Sequence, residues 1–264
     1  MIANHARARL RAGQPSVGTW LCLPDPTAAR LLAHVGFDWL TVDLEHAPFD
    51  MTTAAEIFGV VAAAGTAPLV RVPINSVENI KRVLDCGAWG IVVPMVNSRA
   101  EAEAVVAAAR YAPQGRRSVG GFLHAVNFGT DPGTYYARAN DEILVVVQAE
   151  HVDAVERIDE ILSVPGIDAF FIGPNDLLKS MGRTPAMDSD DPAFVAAIDT
   201  LLAAGRRHKV AAGIHTADAT AAARRIAQGF QFVAVASDAS FLSVRAQEQA
   251  AALGLSSGRQ LVRY

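Results

Sequence analysis

The strongest constraint on this chain is a rhythm. Short runs rich in β-branched residues alternate with longer segments of helical periodicity, and eight candidate strands fall at 17–23, 39–45, 68–73, 90–96, 143–150, 169–174, 210–216 and 230–237. Helix follows strand each time, and the near-continuous hydrophobicity of the strands suits a parallel sheet covered on both faces. Eight such units in about 250 residues is the arithmetic of a (β/α)₈ TIM barrel. No Gly/Ser/Pro-rich linker divides the chain, so one domain over 1–264 is expected. A doubly wound open sheet is the alternative, but it announces a glycine-rich first turn, and residues 23–28 read LPDPTA.

Helix starts are legible. Asp25-Pro26 sets a capping carboxylate before a proline, and Thr53 to Glu56 and Ser98 to Glu101 fit the capping-box spacing. Val152, Val155, Ile158, Ile161 and Leu162 recur at helical spacing and predict one helix face. The connection 111–140, rich in Gly and aromatics, is longer than compact domains use and reads as a lid or a subunit contact.

Composition excludes more than it selects. With 51% hydrophobic residues in 264 a sizeable core is affordable, and 23 basic against 27 acidic residues, with no basic stripe, argues against nucleic acid. No run reaches the roughly 18 to 20 apolar residues of a membrane span, and MIANHARARLRAG is not followed by the apolar stretch of a secretory signal. Cys22 and Cys86, in no metal-type spacing, read as core thiols of a reducing compartment. A cytoplasmic protein without membrane or nucleic-acid partners is expected.

In a TIM barrel the C-terminal strand ends converge on one mouth, and the unusual polar residues fall there. Strand 2 ends at Asp43, Glu45 and His46, strand 3 at Arg71, strand 5 at Gln148 and Glu150, strand 6 at Asp176, strand 7 at His215, and strand 8 at Ser237 and Asp238. For Asp176 or Asp238 alone, a helix cap is an equally good reading. Glu150 is harder to dismiss: it closes an apolar run and shares a strand face with Gln148, so it needs a metal, a cation or a proton. Arg71, set among apolar neighbours, needs an anion, with a structural pair to Glu45 or Asp43 as the bland reading. Asp43, three residues before His46, could fix its tautomer and raise its basicity. The remaining histidines, His124 included, read as surface groups.

Glu150 and Asp176 form a hard oxygen pair that suits Mg²⁺ or Mn²⁺ with open positions, Co²⁺ or Zn²⁺ being less favoured. Such a cation can chelate a 2-oxo acid and act as Lewis acid to its enolate, whose charge Arg71 would share. Backbone amides after Gly173-Pro174, at Asn175, could receive the substrate carboxylate. An imine route is disfavoured, because Lys81, Lys179 and Lys209 all lie outside the predicted strands. HTADAT and SDAS after strands 7 and 8 lack the glycines of a phosphate site.

These residues also carry a resemblance. GTWLCLPDPTAARLLAHVGFDWLTVDLEHAPFD, then LVRVP, VLDCGAWGIVVPMV, RYAPQGRRSVG, VQAE and FFIGPNDL resemble the HpcH/HpaI aldolase family of metal-dependent pyruvate aldolases over roughly 16–240. The resemblance implies a divalent metal on Glu150 and Asp176 that chelates pyruvate, Gln148 near the keto acid, and Arg71 stabilising the enolate. It further implies His46, paired with Asp43, as the acid/base, and Asp85 reaching a neighbouring subunit's site. Family members assemble as trimers or dimers of trimers with an exchanged C-terminal helix, so a homotrimer or homohexamer is expected. Two departures stand out: Asn175 where a small residue is common, and His124-Ala125 where Arg-Ala is common, the second expected to alter aldehyde selection.

The resulting expectation is a carbon–carbon lyase that cleaves a 4-hydroxy-2-oxo acid to pyruvate and an aldehyde. An oxaloacetate decarboxylase using the same enolate is the alternative, and a non-catalytic barrel a distant third. Aldehyde, metal and pathway are not written in the sequence.

Overall fold

A computed structural model describes residues 1–255 of the chain. Eight parallel strands close on themselves in sequence order: β1 (Ser16–Leu21), β2 (Trp39–Asp43), β3 (Ala67–Arg71), β4 (Gly90–Val93), β5 (Leu144–Gln148), β6 (Ala169–Ile172), β7 (Ala211–Thr216) and β8 (Phe232–Ser237). Closure excludes the open doubly wound sheet. Every strand residue but Val17 is buried, as a wall covered on both sides requires. The predicted strands are all present, and most end earlier than predicted, because the polar residues at their tips already belong to the mouth loops.

The helices are α1 (His5–Arg11), α2 (Pro26–Ala33), α3 (Met51–Ala63), α4 (Val77–Asp85), α5 (Arg99–Ala109), α6 (Leu123–Asn127), α7 (Pro132–Glu142), α8 (Val152–Glu156), α9 (Ile158–Leu162), α10 (Pro174–Ser180), α11 (Pro192–His208), α12 (Ala219–Gln228) and α13 (Asp238–Ala252). Asp25 caps α2 as predicted, accepting from the Thr27 and Ala28 N–H groups ahead of Pro26. Ser98 caps α5 through the Glu101 N–H, while the Glu101 carboxylate returns to Asn97. Thr53 is not a cap: the cap lies three residues earlier, at Asp50, whose carboxylate accepts from the Thr53 N–H. The single helix predicted over 152–162 is two, broken at Arg157, with Ile158, Ile161 and Leu162 buried on the second piece.

The 111–140 connection is not a lid over this barrel's mouth. It carries α6 and α7 and leads from α5 into β5, so it lies at the N-terminal face of the barrel, away from the mouth. Aromatic contacts hold it there: Phe128 stacks on Trp89 at 4.7 Å, and His124 meets Tyr135 edge-on at 4.1 Å. His124 is thus fully buried rather than a surface group.

The barrel interior is filled by rings, with Trp39 stacked on Phe232 at 4.3 Å. A Cβ on Gly18 would fall 2.1 Å from the Trp39 ring, so only glycine admits that indole. Cys22 and Cys86 are free and half-buried at the core's edge. α13 stands apart. Among its residues only Asp238 is buried, Leu242 is 65% exposed, and an apolar groove of about 840 Å³ runs between α12 and α13 past Phe37, Ile226, Val235 and Phe241. Among the described residues no helix is long and apolar enough to cross a membrane.

Candidate active site at the barrel mouth

A cavity of about 310 Å³ opens at the C-terminal strand ends. It gathers His46, Arg71, Gln148, Glu150, Gly173, Pro174, Asn175 and Asp176 from four separate connections, together with Trp20, Phe171, Met187 and His215. Asp43 lies buried against Arg71. Asp85 is not brought in: it ends α4 at the opposite face, where Arg117 holds it at 2.7 Å.

Register explains the central pair. Asp43 and Arg71 are direct partners across β2 and β3, so two side chains of one row meet in a fork: Arg71 Nε donates to Asp43 Oδ1 at 2.9 Å and Nη2 to Oδ2 at 2.7 Å. The guanidinium also lies over the Trp20 ring, 4.5 Å from its centroid. Arg71 is thereby fixed in direction before any ligand arrives.

Asp43 and His46 are arranged differently from the sequence reading. Asp43 Oδ1 accepts from the backbone N–H groups of Glu45 and His46, at 3.1 and 3.3 Å, and so shapes the turn that presents His46. The imidazole, about half exposed, instead neighbours Glu45, whose Oε2 is 3.7 Å from His46 Nε2 and 3.3 Å from Arg71 Nε. Strand alternation separates Glu45 from His46, but the chain leaves β2 at Asp43 and turns, so alternation no longer applies. Burial, foremost, raises the Glu45 carboxyl above its ordinary range.

Glu150 is the most constrained acid. It is 3% exposed; Oε1 accepts from the Met95 N–H at 3.0 Å and Oε2 from Gln148 Nε2 at 2.7 Å. Burial, reinforced by the nearby Asp176 carboxylate, pushes its pKa up to about 8. Met95 delivers its N–H from a left-handed conformation, φ 52°, strain of the kind that clusters at functional sites. A Cβ at Gly173 would fall 2.4 Å from Glu150 Oε2, so glycine there keeps the carboxylate's place clear.

The donor set suits a hard divalent cation. Glu150 and Asp176 repel each other, and a cation between them would relieve both repulsion and burial. Among the described residues no three His, Cys, Asp or Glu side chains form a metal cage, so a cation on this pair would keep open positions. Two further lining atoms, Gln148 Oε1 and Trp20 Nε1, are buried without a hydrogen-bond partner among the described residues. Both call for a ligand or water.

His215 and Trp20 are lining residues that the sequence reading did not assign a role. His215 Nε2 donates to the Ala236 carbonyl at 2.9 Å, and burial pushes its pKa down to about 4, so it stays neutral. Period-two alternation could have placed Trp20 on the inner face of β1; Met187, in the loop after α10, offers no such signal. Asp238 is not the cap of α13, a role that Ser237 takes; its carboxylate instead accepts from the Cys22 and Leu23 N–H groups.

The family description HpcH/HpaI aldolase/citrate lyase matches residues 16–244. The chain belongs to this family. Within it, the chain is 36% identical to a hydroxypyruvate/pyruvate aldolase of Rhizorhabdus wittichii, covering 93% of this chain and 96% of that one. It is 38% identical to a 4-hydroxy-2-oxo-heptane-1,7-dioate aldolase of Escherichia coli, over 96% of both. A crystal structure of an HpcH/HpaI family protein from Burkholderia cenocepacia superposes with a TM-score of 0.87 at 36% identity, covering 95% and 98% of the two chains. The family reading of the sequence and the TIM-barrel fold therefore hold.

Proposed function

We propose that this HpcH/HpaI family member is a divalent-metal-dependent aldolase that cleaves a 4-hydroxy-2-oxo acid to pyruvate and an aldehyde, and catalyses the reverse addition. The observation that carries the reading is Glu150: a buried acid pushed up toward neutrality beside Asp176, in the open cavity at the barrel mouth. Glu150 and Asp176 would hold Mg²⁺ or Mn²⁺, and the bound cation supplies Lewis-acid polarisation of the 2-oxo group.

The chain's own groups supply the rest. Arg71, aimed by Asp43 and seated over Trp20, holds the oxygen on which negative charge develops as the C3–C4 bond breaks. Preorganisation matters here, because the fork is complete before substrate binds. His46 at the rim takes the 4-hydroxyl proton as the C3–C4 bond breaks, and pyruvate forms when C3 of the enolate gains a proton from His46 or water; addition reverses both transfers, with Glu45 beside the ring setting its orientation. Gln148 orients the keto acid, and the Gly173-Pro174-Asn175 turn receives its carboxylate.

Two parts of the family reading lie away from the mouth. Asp85, held by Arg117 at the N-terminal face, would act in a neighbouring subunit, and the uncovered α12–α13 groove would receive an exchanged α13 in a homotrimer or homohexamer. A cytoplasmic location accords with the thiols being free.

A substrate panel tests the activity. Pyruvate release is measured from 4-hydroxy-2-oxo acids of different length and charge and from oxaloacetate, with Mg²⁺, Mn²⁺ or Co²⁺. Release from the hydroxy-oxo acids with stoichiometric aldehyde supports the aldolase; release from oxaloacetate alone favours the decarboxylase.

A further inference from the structure

At the opposite end of the barrel a second cavity, of about 550 Å³, opens between the end of α1, the turn after α5 and the end of α11. Its inner wall holds two buried guanidiniums converging on one carboxylate. Arg7 Nε donates to Asp168 Oδ1 at 2.8 Å and Arg110 Nη2 to Oδ2 at 2.9 Å, with the two arginine side chains 4% and 1% exposed. Asp168 Oδ2 also accepts from the Val145 N–H at 3.0 Å, so the carboxylate is fully engaged.

The charges around it do not balance. Arg7, Arg11, Arg110, Arg206 and Lys209 line the cavity against Asp141 and Asp168, five positive to two negative, in a chain whose formal net charge is −4. Basic residues near helix ends have an ordinary role, complementing the dipoles of α1 and α11, and Arg206 donates to the Gln228 carbonyl. That role accounts for rim charges one at a time. It does not account for a buried wall with donor capacity left over: Arg7 bonds through Nε and Nη1, and among the described residues its Nη2 has no partner. Arg11 and Lys209 likewise make no ion pair among the described residues. Arg110 is held below its ordinary range by burial, with Arg7 and Arg11 adding repulsion.

We propose that this cavity binds a small polyvalent oxyanion, a molecule with two or more carboxylate or phosphate groups, at the barrel face opposite the candidate active site. Planar guanidinium forks match such groups, and the volume lies within the roughly 300–1,000 Å³ of small-molecule sites. Arg7 supplies the buried donor, Arg11 and Lys209 the mobile charges at the rim, and Gln114 a neutral donor beside them. Binding here requires no metal, because the positive charge is the protein's own. The mouth has the opposite requirement.

Isothermal titration of the metal-stripped full-length chain with inorganic pyrophosphate, and separately with citrate, in about 0.15 M salt to screen diffuse attraction, tests the site. Saturable binding of either anion at one site per chain is expected, weakened at least about tenfold in Arg11→Ala/Lys209→Asn, where asparagine tolerates the left-handed backbone of position 209. The two anions distinguish a phosphate ligand from a polycarboxylate. Gln114→Glu, which only adds a rim charge, is expected to weaken binding in the same direction. Non-saturable binding, or affinity unchanged in both variants, overturns the proposal.

Discussion

At the mouth of the barrel one buried guanidinium, Arg71, faces Asp43, Glu45, Glu150 and Asp176, whereas at the base one buried carboxylate, Asp168, sits between Arg7 and Arg110. Both arrangements sit at strand ends, the first a two-bond fork and the second a carboxylate bridging two arginines. They differ in what is left over. Asp168 is saturated by two guanidiniums and a backbone N–H, so the base works first as a staple joining α1, α5 and β5. Arg71 satisfies Asp43 and touches Glu45, but Glu150 receives only an amide and a backbone N–H and is pushed up to about 8. The base pairs its carboxylate in full, whereas at the mouth Glu150 makes no ion pair among the described residues.

Variants can pull the two ends apart. The largest effect is expected from Asp168→Ala, which leaves two buried guanidiniums uncompensated and should cost about 3–5 kcal/mol in urea unfolding, while pyruvate release per folded molecule is retained. Asp43→Ala should cost comparable stability and also abolish activity, since it frees Arg71 from its fork. If both variants lose activity in proportion to stability alone, the division of labour fails.

Next in size is the pH dependence set by Glu150. In the unfolded chain this acid titrates near 4.5 and in the folded chain at about 8, so between those values the folded state keeps a proton that the unfolded state has lost. The stability of the cation-free protein therefore falls as pH rises through that window and levels off above it, by a few kcal/mol at about 1.4 kcal/mol per unit. Melting temperatures across pH should show this slope, Glu150→Gln should flatten it, and saturating Mg²⁺ should offset it only in the wild type.

Gly173→Ala should weaken Mn²⁺ binding by roughly 10- to 100-fold, because the new methyl group meets Glu150 Oε2. Paramagnetic titration reads this directly, and unchanged affinity would remove Glu150 from the cation site.

The smallest effect belongs to the base. His124 is fully buried, both ring nitrogens lack partners among the described residues, and burial, with Arg117 nearby, pushes its pKa down to about 4. Its neutral form is favoured on folding, so stability is lost as pH falls from about 6.5 toward 4. His124→Phe should stay within about 1 kcal/mol of wild type at pH 7 and resist acid better. The buried His215 titrates in the same window, so the acid slope should shrink rather than vanish.

The barrel was legible because its signal is redundant: eight apolar runs at regular spacing leave few other folds, and each missed boundary costs little. Glu150, Gln148 and Arg71 were legible for a related reason, being polar groups that close apolar strands. What escaped depends on how the chain turns after a strand ends. Glu45, not Asp43, meets the His46 ring because the path leaves β2 at Asp43, and period-two reasoning stops there. His124 was misplaced because its burial comes from Tyr135 and Tyr136, brought over it by α7. The base cavity left no motif, since Arg7, Arg110 and Asp168 come from three distant segments.

The central claim, that the mouth is an aldolase site completed by a divalent cation on Glu150 and Asp176, is tested most directly by pyruvate release from a 4-hydroxy-2-oxo acid. Metal-stripped wild-type protein and Glu150→Gln are titrated with Mn²⁺. Saturable, cation-dependent release by the wild type is expected, with at least about a thousandfold less by Glu150→Gln at every Mn²⁺ concentration. Equal release by the two proteins, or wild-type release that survives complete removal of divalent cations, would contradict it.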